Sequence, residues 1–307
     1  MTVSERTSTP APPRGSSGGV VVGLLVAARP KQWIKNVLVL AAPAAAGVIF
    51  EPAILLQAAV AFVCFCLVAS GTYLLNDALD VEADRQHPRK RHRPIAAGTV
   101  PVLVGKIAAV VCLVLGLALA AALADWRLAI VLGVYVAIMQ AYSLGLKRVA
   151  VIELAMVSSG FVLRAIAGGV ATNVELSTWF LIVTSFASLF IVAGKRHAEV
   201  MTLGTGAVGH REALREYPDG FMQYVGGLSA AVAIMAYCLW SLVEPGANQL
   251  WFELSIVPFV LAMLRYALLA ARGEAGAPED VFAGDRTIQV LGVLWLVFYG
   301  VGVYAGR

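Results

Sequence analysis

The segment from Asn76 to Gly98, NDALDVEADRQHPRKRHRPIAAG, sets four acids and a run of bases between two long apolar stretches. If the preceding apolar stretch continues as a helix, Asn76, Asp77, Asp80 and Asp84 fall within an arc of about 100°, and Glu82 lies outside it. Like charges one turn apart repel, so this stripe is unfavourable without a cation upon it. Hard oxygen ligands suit Mg2+, which takes one or two carboxylates and completes its shell with water and the phosphate oxygens of a substrate. Asn76, Asp80 and Asp84 are therefore the expected metal ligands. Asp77, Asp80 and Asp84 are the catalytic candidates, Asp77 as the group that would orient a metal-bound water. The bases that follow are Arg85, Arg89, Lys90, Arg91 and Arg93. Acids holding a metal beside bases holding phosphate oxygens would grip a polyphosphate. A solvated acidic helix end would also explain the acids, but not the bases beside them.

The elements that must position this segment are apolar. Of 307 residues, 60% are hydrophobic and 14% charged, and the mean hydropathy is +0.81. That composition excludes an ordinary soluble domain and fits an all-α, polytopic membrane protein. Residues 1–18, rich in Pro, Ser, Thr and Gly, read as a disordered tail, and 19–307 as a single transmembrane catalytic domain. The short apolar run 20–28 is cut by Arg29, Pro30 and Lys31 with no small-residue cleavage site after it, so a cleaved signal peptide is not expected. Nine stretches are apolar enough to cross a bilayer or nearly so: 33–50, 53–75, 102–124, 128–142, 151–171, 179–194, 223–243, 252–271 and 288–304. Of the 23 Lys and Arg, only Arg127 and Arg307 then fall on one side, and Arg164 and Arg265 fall deep within spans. The remaining bases share the other side with the tail. The positive-inside bias makes that side cytoplasmic, so the net charge of +4 reports topology and needs no nucleic acid to explain it.

Other candidate residues point to packing. Cys64, Cys66, Cys112 and Cys238 lie in apolar spans, and Cys64 and Cys66 point about 200° apart on a helix, which suggests neither zinc nor a disulfide. His87, His92, His197 and His210 lack metal-ligand spacing. Arg164 and Arg265 are costly in a bilayer and are expected to face the bundle interior or reach an edge.

The pattern NDxxDxxxD formed by Asn76, Asp80 and Asp84, followed by RHRPIAAG, resembles the first signature of the UbiA superfamily of intramembrane prenyltransferases, as does the nine-span plan. That resemblance implies Mg2+-dependent transfer from a diphosphate. The second aspartate motif of that superfamily is not matched: between spans six and seven stands GKRHAE, with Lys195, Arg196 and Glu199, and after span four YSLGLKR, with Tyr142, Lys147 and Arg148. Together with RPKQWIKNVLVLAAP, VSSGFVLRAIAGGVAT and the PED and DR elements of GAPEDVFAGDR, these stretches resemble the phosphoribosyl-transferring branch of the superfamily in the actinobacterial cell-wall pathway.

The branch implies transfer of 5-phosphoribose from phosphoribosyl pyrophosphate to a polyprenyl (decaprenyl) phosphate, in the plasma membrane, with release of pyrophosphate and a product that feeds arabinan synthesis. Such a donor and acceptor carry more phosphate than a prenyl diphosphate, so bases in place of acids make chemical sense. Lys90, Arg91, Arg93, Tyr142, Lys147, Arg148, Lys195 and Arg196 are the expected phosphoribosyl pyrophosphate contacts. The lipid phosphate is expected at Arg29, Lys31, Gln32, Lys35 and Asn36, with Trp33 at the interface, although a plain membrane-anchoring helix would use the same residues. The expected cofactor is Mg2+. Expected partners are the two substrates and membrane lipid, and a homo-oligomer is compatible with the sequence. An ordinary prenyltransferase with an aromatic acceptor is the alternative of the same fold. A transporter is the alternative of another class, disfavoured because the charges gather at one face rather than the midplane.

Overall fold

A computed structural model describes residues 17–88, 90–203, 216–243 and 248–305, whose regular elements are all helical, without strands. Most of the predicted tail, Arg89 and His210 lie outside the described residues. In chain order the helices are α1 (Ser17–Ala27), a 3₁₀ segment (Pro30–Leu40), α2 (Ala41–Ala45), α3 (Pro52–Leu79), α4 (Val81–Gln86), α5 (Val102–Leu123), α6 (Trp126–Leu144), α7 (Ile152–Ala171), α8 (Thr178–Leu203), α9 (Phe221–Val243), α10 (Gln249–Ala271), α11 (Pro278–Gly284) and α12 (Arg286–Tyr304). Short 3₁₀ turns occupy Lys90–His92 and Leu146–Arg148. Among the described residues, eight helices are long and apolar enough to cross a membrane: α3, α5, α6, α7, α8, α9, α10 and α12. The chain is a multi-pass membrane protein.

Eight of the nine predicted spans correspond to these helices, and the first does not. Residues 30–45 form eleven residues of 3₁₀ helix followed by five of α-helix. At about 2.0 and 1.5 Å rise per residue they still extend about 30 Å, the thickness of a hydrocarbon core. A run of apolar residues fixes the environment of a segment, not its helical pitch. A second difference lies in α8, which continues past the predicted end of its span to Leu203. Lys195, Arg196 and Glu199 are thus on a helix rather than in a loop.

Helix ends follow local chemistry. Pro52 opens α3 at a position where the missing N–H costs nothing, and Pro278 does the same for α11. Asp125 caps α6 by accepting from the Arg127 N–H at 2.7 Å, and Asp285 caps α12 by accepting from the Ile288 N–H at 2.8 Å. Gly273, at φ 80°, ends α10 in the left-handed region.

The chain divides into two compact units. One comprises residues up to Gln32 together with Leu67–Leu115. Its core is Ala27, Leu74, Ala78, Ile95, Val100 and Ala109. Ser70 of α3 donates to the Ala28 carbonyl at 3.1 Å and ties α1 to α3. The other comprises Trp33–Cys66 and the chain from Gly116 onward. In it α6 packs on α7, α7 on α8, α8 on α9, α9 on α10, and α10 on α12. One of its apolar clusters joins Phe190, Ala198, Tyr266, Leu269, Val281 and Ile288. Gly168 of α7 lets the 3₁₀ segment approach: a Cβ there would collide with the backbone carbonyl of Val39.

Candidate functional site

In the first unit the acidic stripe lies where α3 ends. The helix bends at Asp80, which leaves the α region at φ −90° and ψ 12°. The ladder carries through the bend all the same: the Asp80 N–H donates to the Asn76 carbonyl at 2.9 Å, and the Asp84 N–H to the Asp80 carbonyl at 2.8 Å. The i to i+4 backbone pairing of Asn76, Asp80 and Asp84 thus survives the bend, while Arg93 brings Asp77 and Asp84 together.

Two arginines lock the buried acids of this stripe. Asp77, 2% exposed, accepts from Arg29 Nη2 at 2.6 Å and from Arg93 Nη1 at 3.0 Å. The same Arg93 nitrogen donates to Asp84 Oδ2 at 2.7 Å, and Lys90 Nζ stands 3.9 Å from Asp84 Oδ1. Arg29 occupies the left-handed region, at φ 55°, in the turn before the 3₁₀ segment. Such a backbone costs about 1–3 kcal/mol for a residue with a side chain. The turn aims its guanidinium at Asp77 and over the ring of Tyr73, 4.8 Å from the centroid. Arg85 turns away to Glu82 at 2.9 Å and the Ala96 carbonyl at 3.2 Å. Arg91 is exposed beside His92. Lys31 is exposed and Gln32 half-buried.

The donor set fits Mg2+ in part. Among the described residues, no three His, Cys, Asp or Glu gather into a metal cage. Yet the side-chain oxygen of Asn76, Oδ1, is buried with no hydrogen-bond partner, and Asp80 lies one turn further on. A buried acceptor without a donor costs free energy that a cation would recover. Asn76 and Asp80 are thus the residues that would hold Mg2+ through oxygen, with water and substrate phosphate completing its shell. Asp84, predicted as a ligand too, is occupied by Arg93 and Lys90.

In the second unit the basic GKRHAE stretch is not a free anion grip. Arg196, 3% exposed, donates from Nε to both carboxylate oxygens of Glu153 at 3.0 Å, and from Nη2 to Glu153 Oε2 at 2.8 Å. Its Nη1 donates to Glu199 at 2.8 Å, and Tyr142 OH accepts from Nη2 at 3.4 Å. A guanidinium held by two carboxylates organises α7 and α8; it has no charge left over for phosphate. Two residues before Glu153, Val151 stands in the left-handed region at φ 64°, and its N–H donates to the Tyr217 hydroxyl at 2.6 Å. Burial pushes that hydroxyl above the usual tyrosine range. Lys147, half-buried, and Arg148, exposed, sit on the turn after α6.

The 3₁₀ segment carries the remaining candidates. Asn36, predicted to touch the lipid phosphate, is fully buried. It accepts from Arg164 Nε at 2.7 Å and donates to Cys66 Sγ at 3.2 Å, so it places the segment and cannot reach a ligand. Lys35 is 21% exposed and lies 3.7 Å from Glu279 of α11. Burial lowers its ammonium below the ordinary lysine range; Glu279 offsets this in part, and Lys195 and Arg164 push it further down.

With this geometry in hand, residues 36–297 match the UbiA prenyltransferase family. The chain belongs to that family. Relatives of this UbiA chain include the decaprenyl-phosphate phosphoribosyltransferase of Corynebacterium glutamicum, 45% identical over 300 residues that cover 95% of this chain and 89% of that one. The protein of the same name from Mycobacterium tuberculosis is 46% identical over 291 residues, 94% and 96% of the two chains. A UbiA homolog from Archaeoglobus fulgidus, solved bound to GPP and Mg2+, shares the fold with a TM-score of 0.70 at 16% identity, covering 92% of this chain and 99% of that one.

Sequence reasoning about this UbiA chain missed Glu153, Glu279 and the partners of Arg164. A signal existed for the two acids. Glu153 is an acid at the mouth of an apolar stretch, where an unpaired carboxylate is expensive. Glu279 belongs to the PED element that carried part of the resemblance.

Proposed function

We infer that this UbiA protein transfers 5-phosphoribose from phosphoribosyl pyrophosphate to a polyprenyl phosphate, decaprenyl phosphate by its relatives' names, and releases pyrophosphate. The observation that carries this reading is the match, at 45% and 46% identity over nearly the whole chain, to two decaprenyl-phosphate phosphoribosyltransferases. The chemistry of the residues supports it. Breaking the bond between the anomeric carbon and pyrophosphate develops oxocarbenium character, as glycosyl transfer does. Mg2+ at Asn76 and Asp80 would supply charge neutralisation for the departing pyrophosphate. Arg91, exposed on its 3₁₀ turn, suits the donor's phosphates. The acceptor is already an anion, so its oxygen attacks the anomeric carbon without a strong base. Attack opposite the leaving group converts the α-configured donor into a β-linked product.

We place this reaction on the cytoplasmic side of the plasma membrane, where the charged loops lie by the positive-inside bias. The deciding experiment offers purified protein Mg2+, a polyprenyl phosphate and ribose-labelled phosphoribosyl pyrophosphate, with a parallel mixture of a polyprenyl diphosphate and 4-hydroxybenzoate. Label is expected in lipid from the first mixture and no prenylated aromatic from the second. The reverse result replaces this reading with that of an aromatic prenyltransferase.

A further inference from the structure

A strained turn joins α6 to α7. The Ile152 N–H donates back to the Ala150 carbonyl at 2.7 Å across Val151, which stands at φ 64° and ψ −46°. That is the γ-turn of the rare, strained hand, and a β-branched residue at positive φ is a genuine outlier. Such a backbone costs about 1–3 kcal/mol. Val151 is 55% exposed, so burial of its side chain does not offset the cost. Hydrogen bonds hold it instead. The Val151 carbonyl accepts from the Ala155 N–H at 3.1 Å, and the Val151 N–H donates to the Tyr217 hydroxyl at 2.6 Å. The first bond is ordinary helix ladder; the second reaches across 66 residues of chain.

Tyr217 is itself fixed. Its ring lies flat against Phe221 at the start of α9, with centroids 5.2 Å and planes 10° apart. The Phe221 N–H closes the turn between them on the Pro218 carbonyl at 3.1 Å. On the other side of Val151 the γ-turn is coupled to a short basic stretch. The Glu153 N–H donates to the Val149 carbonyl at 3.1 Å, and the Val149 N–H to the Leu146 carbonyl at 3.1 Å. The 3₁₀ turn Leu146–Arg148, with Lys147 and Arg148, therefore hangs directly from the strained residue. All of these residues belong to the second unit. Strained backbone persists only where its surroundings over-determine it, and such places cluster where geometry is used.

We propose that Tyr217 is a positioning residue for the donor: its hydroxyl holds the γ-turn at Val151 and so sets the angle at which Lys147 and Arg148 meet the donor's phosphate groups. The inference rests on the phosphoribosyl reading for the donor's identity and on the sequence-based expectation that these two bases touch it. Released from Tyr217, Val151 relaxes toward negative φ and the basic turn swings with it.

The test measures binding of phosphoribosyl pyrophosphate, and in parallel of inorganic pyrophosphate, to the full-length protein in detergent with Mg2+ by calorimetry. KM for both substrates and the unfolding temperature are measured alongside. Tyr217→Phe keeps the stacked ring and removes the acceptor oxygen. It should weaken phosphoribosyl pyrophosphate about tenfold, the scale of one misaligned charge-assisted contact. The donor KM should rise in step, with the acceptor KM unmoved. Glycine takes the Val151 conformation without steric penalty, so adding Val151→Gly to Tyr217→Phe should restore most of the lost binding, a rescue that a merely structural role would not produce. In protein that carries Lys147→Ala and Arg148→Ala, Tyr217→Phe should change donor binding no further. Phe221→Leu, which removes the ring on which Tyr217 lies, should give the same selective loss in smaller measure and serves if Tyr217→Phe does not fold. Unchanged donor binding in Tyr217→Phe overturns the proposal, as do equal losses for donor and acceptor, no rescue by Val151→Gly, or a full Tyr217→Phe effect without the two bases. Protein that shows the expected pattern but never moves ribose into lipid defeats the phosphoribosyl reading and leaves the positioning role standing. If pyrophosphate binds and phosphoribosyl pyrophosphate does not, that reading fails, and the same comparisons made on pyrophosphate decide the role of Tyr217.

Discussion

Arg196 and Glu153 form a buried, two-pronged ion pair, with three nitrogen–oxygen contacts between 2.8 and 3.0 Å. Removing one member of such a pair leaves the other's charge stranded. Arg196→Ala should therefore destabilise the folded protein by about 3–5 kcal/mol, and Glu153→Gln by a comparable amount. Thermal unfolding in detergent measures both. A loss of turnover in Arg196→Ala with unchanged stability would instead show a direct role in substrate binding.

The stripe makes a prediction about metal. Asp80→Asn should lower turnover at least about a hundredfold, since an oxygen ligand at a metal–pyrophosphate centre contributes several kcal/mol to the transition state. Asn76→Ala removes the buried side-chain oxygen of this cluster that lacks a donor, so it should raise the Mg2+ concentration needed for half-maximal rate. Activity that survives thorough chelation would contradict both.

Topology can be read from thiol labelling. Cysteines introduced for Gln86 and Asp219 should resist an impermeant reagent in intact cells, while one introduced for Glu175, in the turn after α7, should react. The native cysteines are buried or half-buried and give a low background. Equal labelling at all three positions would overturn the cytoplasmic placement of the charged loops.

The environment of Lys35 gives a pH dependence. Its proton is held more weakly than an ordinary lysine's, so the charged form is depleted before the usual lysine range is reached. The acceptor KM should accordingly begin to rise at a pH below the range in which an ordinary lysine loses its proton, and Lys35→Gln should flatten that rise. For stability the sign is opposite to that of a salt-bridged lysine. The penalty of charging Lys35 in the folded state is complete below its lowered pKa and fades as pH climbs to the unfolded value.

The acidic stripe was legible in the sequence because its period is that of the helix it rides on: Asn76, Asp80 and Asp84 declare their i to i+4 pairing by spacing alone. The engagement of Arg196 was not, because its partner Glu153 is 43 residues away and only the packing of α7 on α8 unites them. Charge also misled about α8. Lys195, Arg196 and Glu199 mark where an apolar window ends, but a helix does not stop where it becomes polar, and the ion pairs of Arg196 help it continue. Asn36 looked like a ligand because polar residues near an interface usually face water; Arg164, deep in the bundle, needed its oxygen more.

The 3₁₀ segment turns once every three residues, and its surface follows that count. Asn36 and Val39 lie buried along one ridge, Lys31, Ile34 and Val37 lie exposed along the second, and Gln32, Lys35 and Leu38 are half-buried along the third. It is in effect a three-sided bar, with one edge set into protein and one turned outward. Tolerance of substitution should therefore rise and fall with a beat of three here, against 3.6 in the helices around it. A single-residue insertion would rotate the bar by about 120°, carrying Lys35's position onto another edge, so this stretch should tolerate exchanges of side chain far better than changes of length.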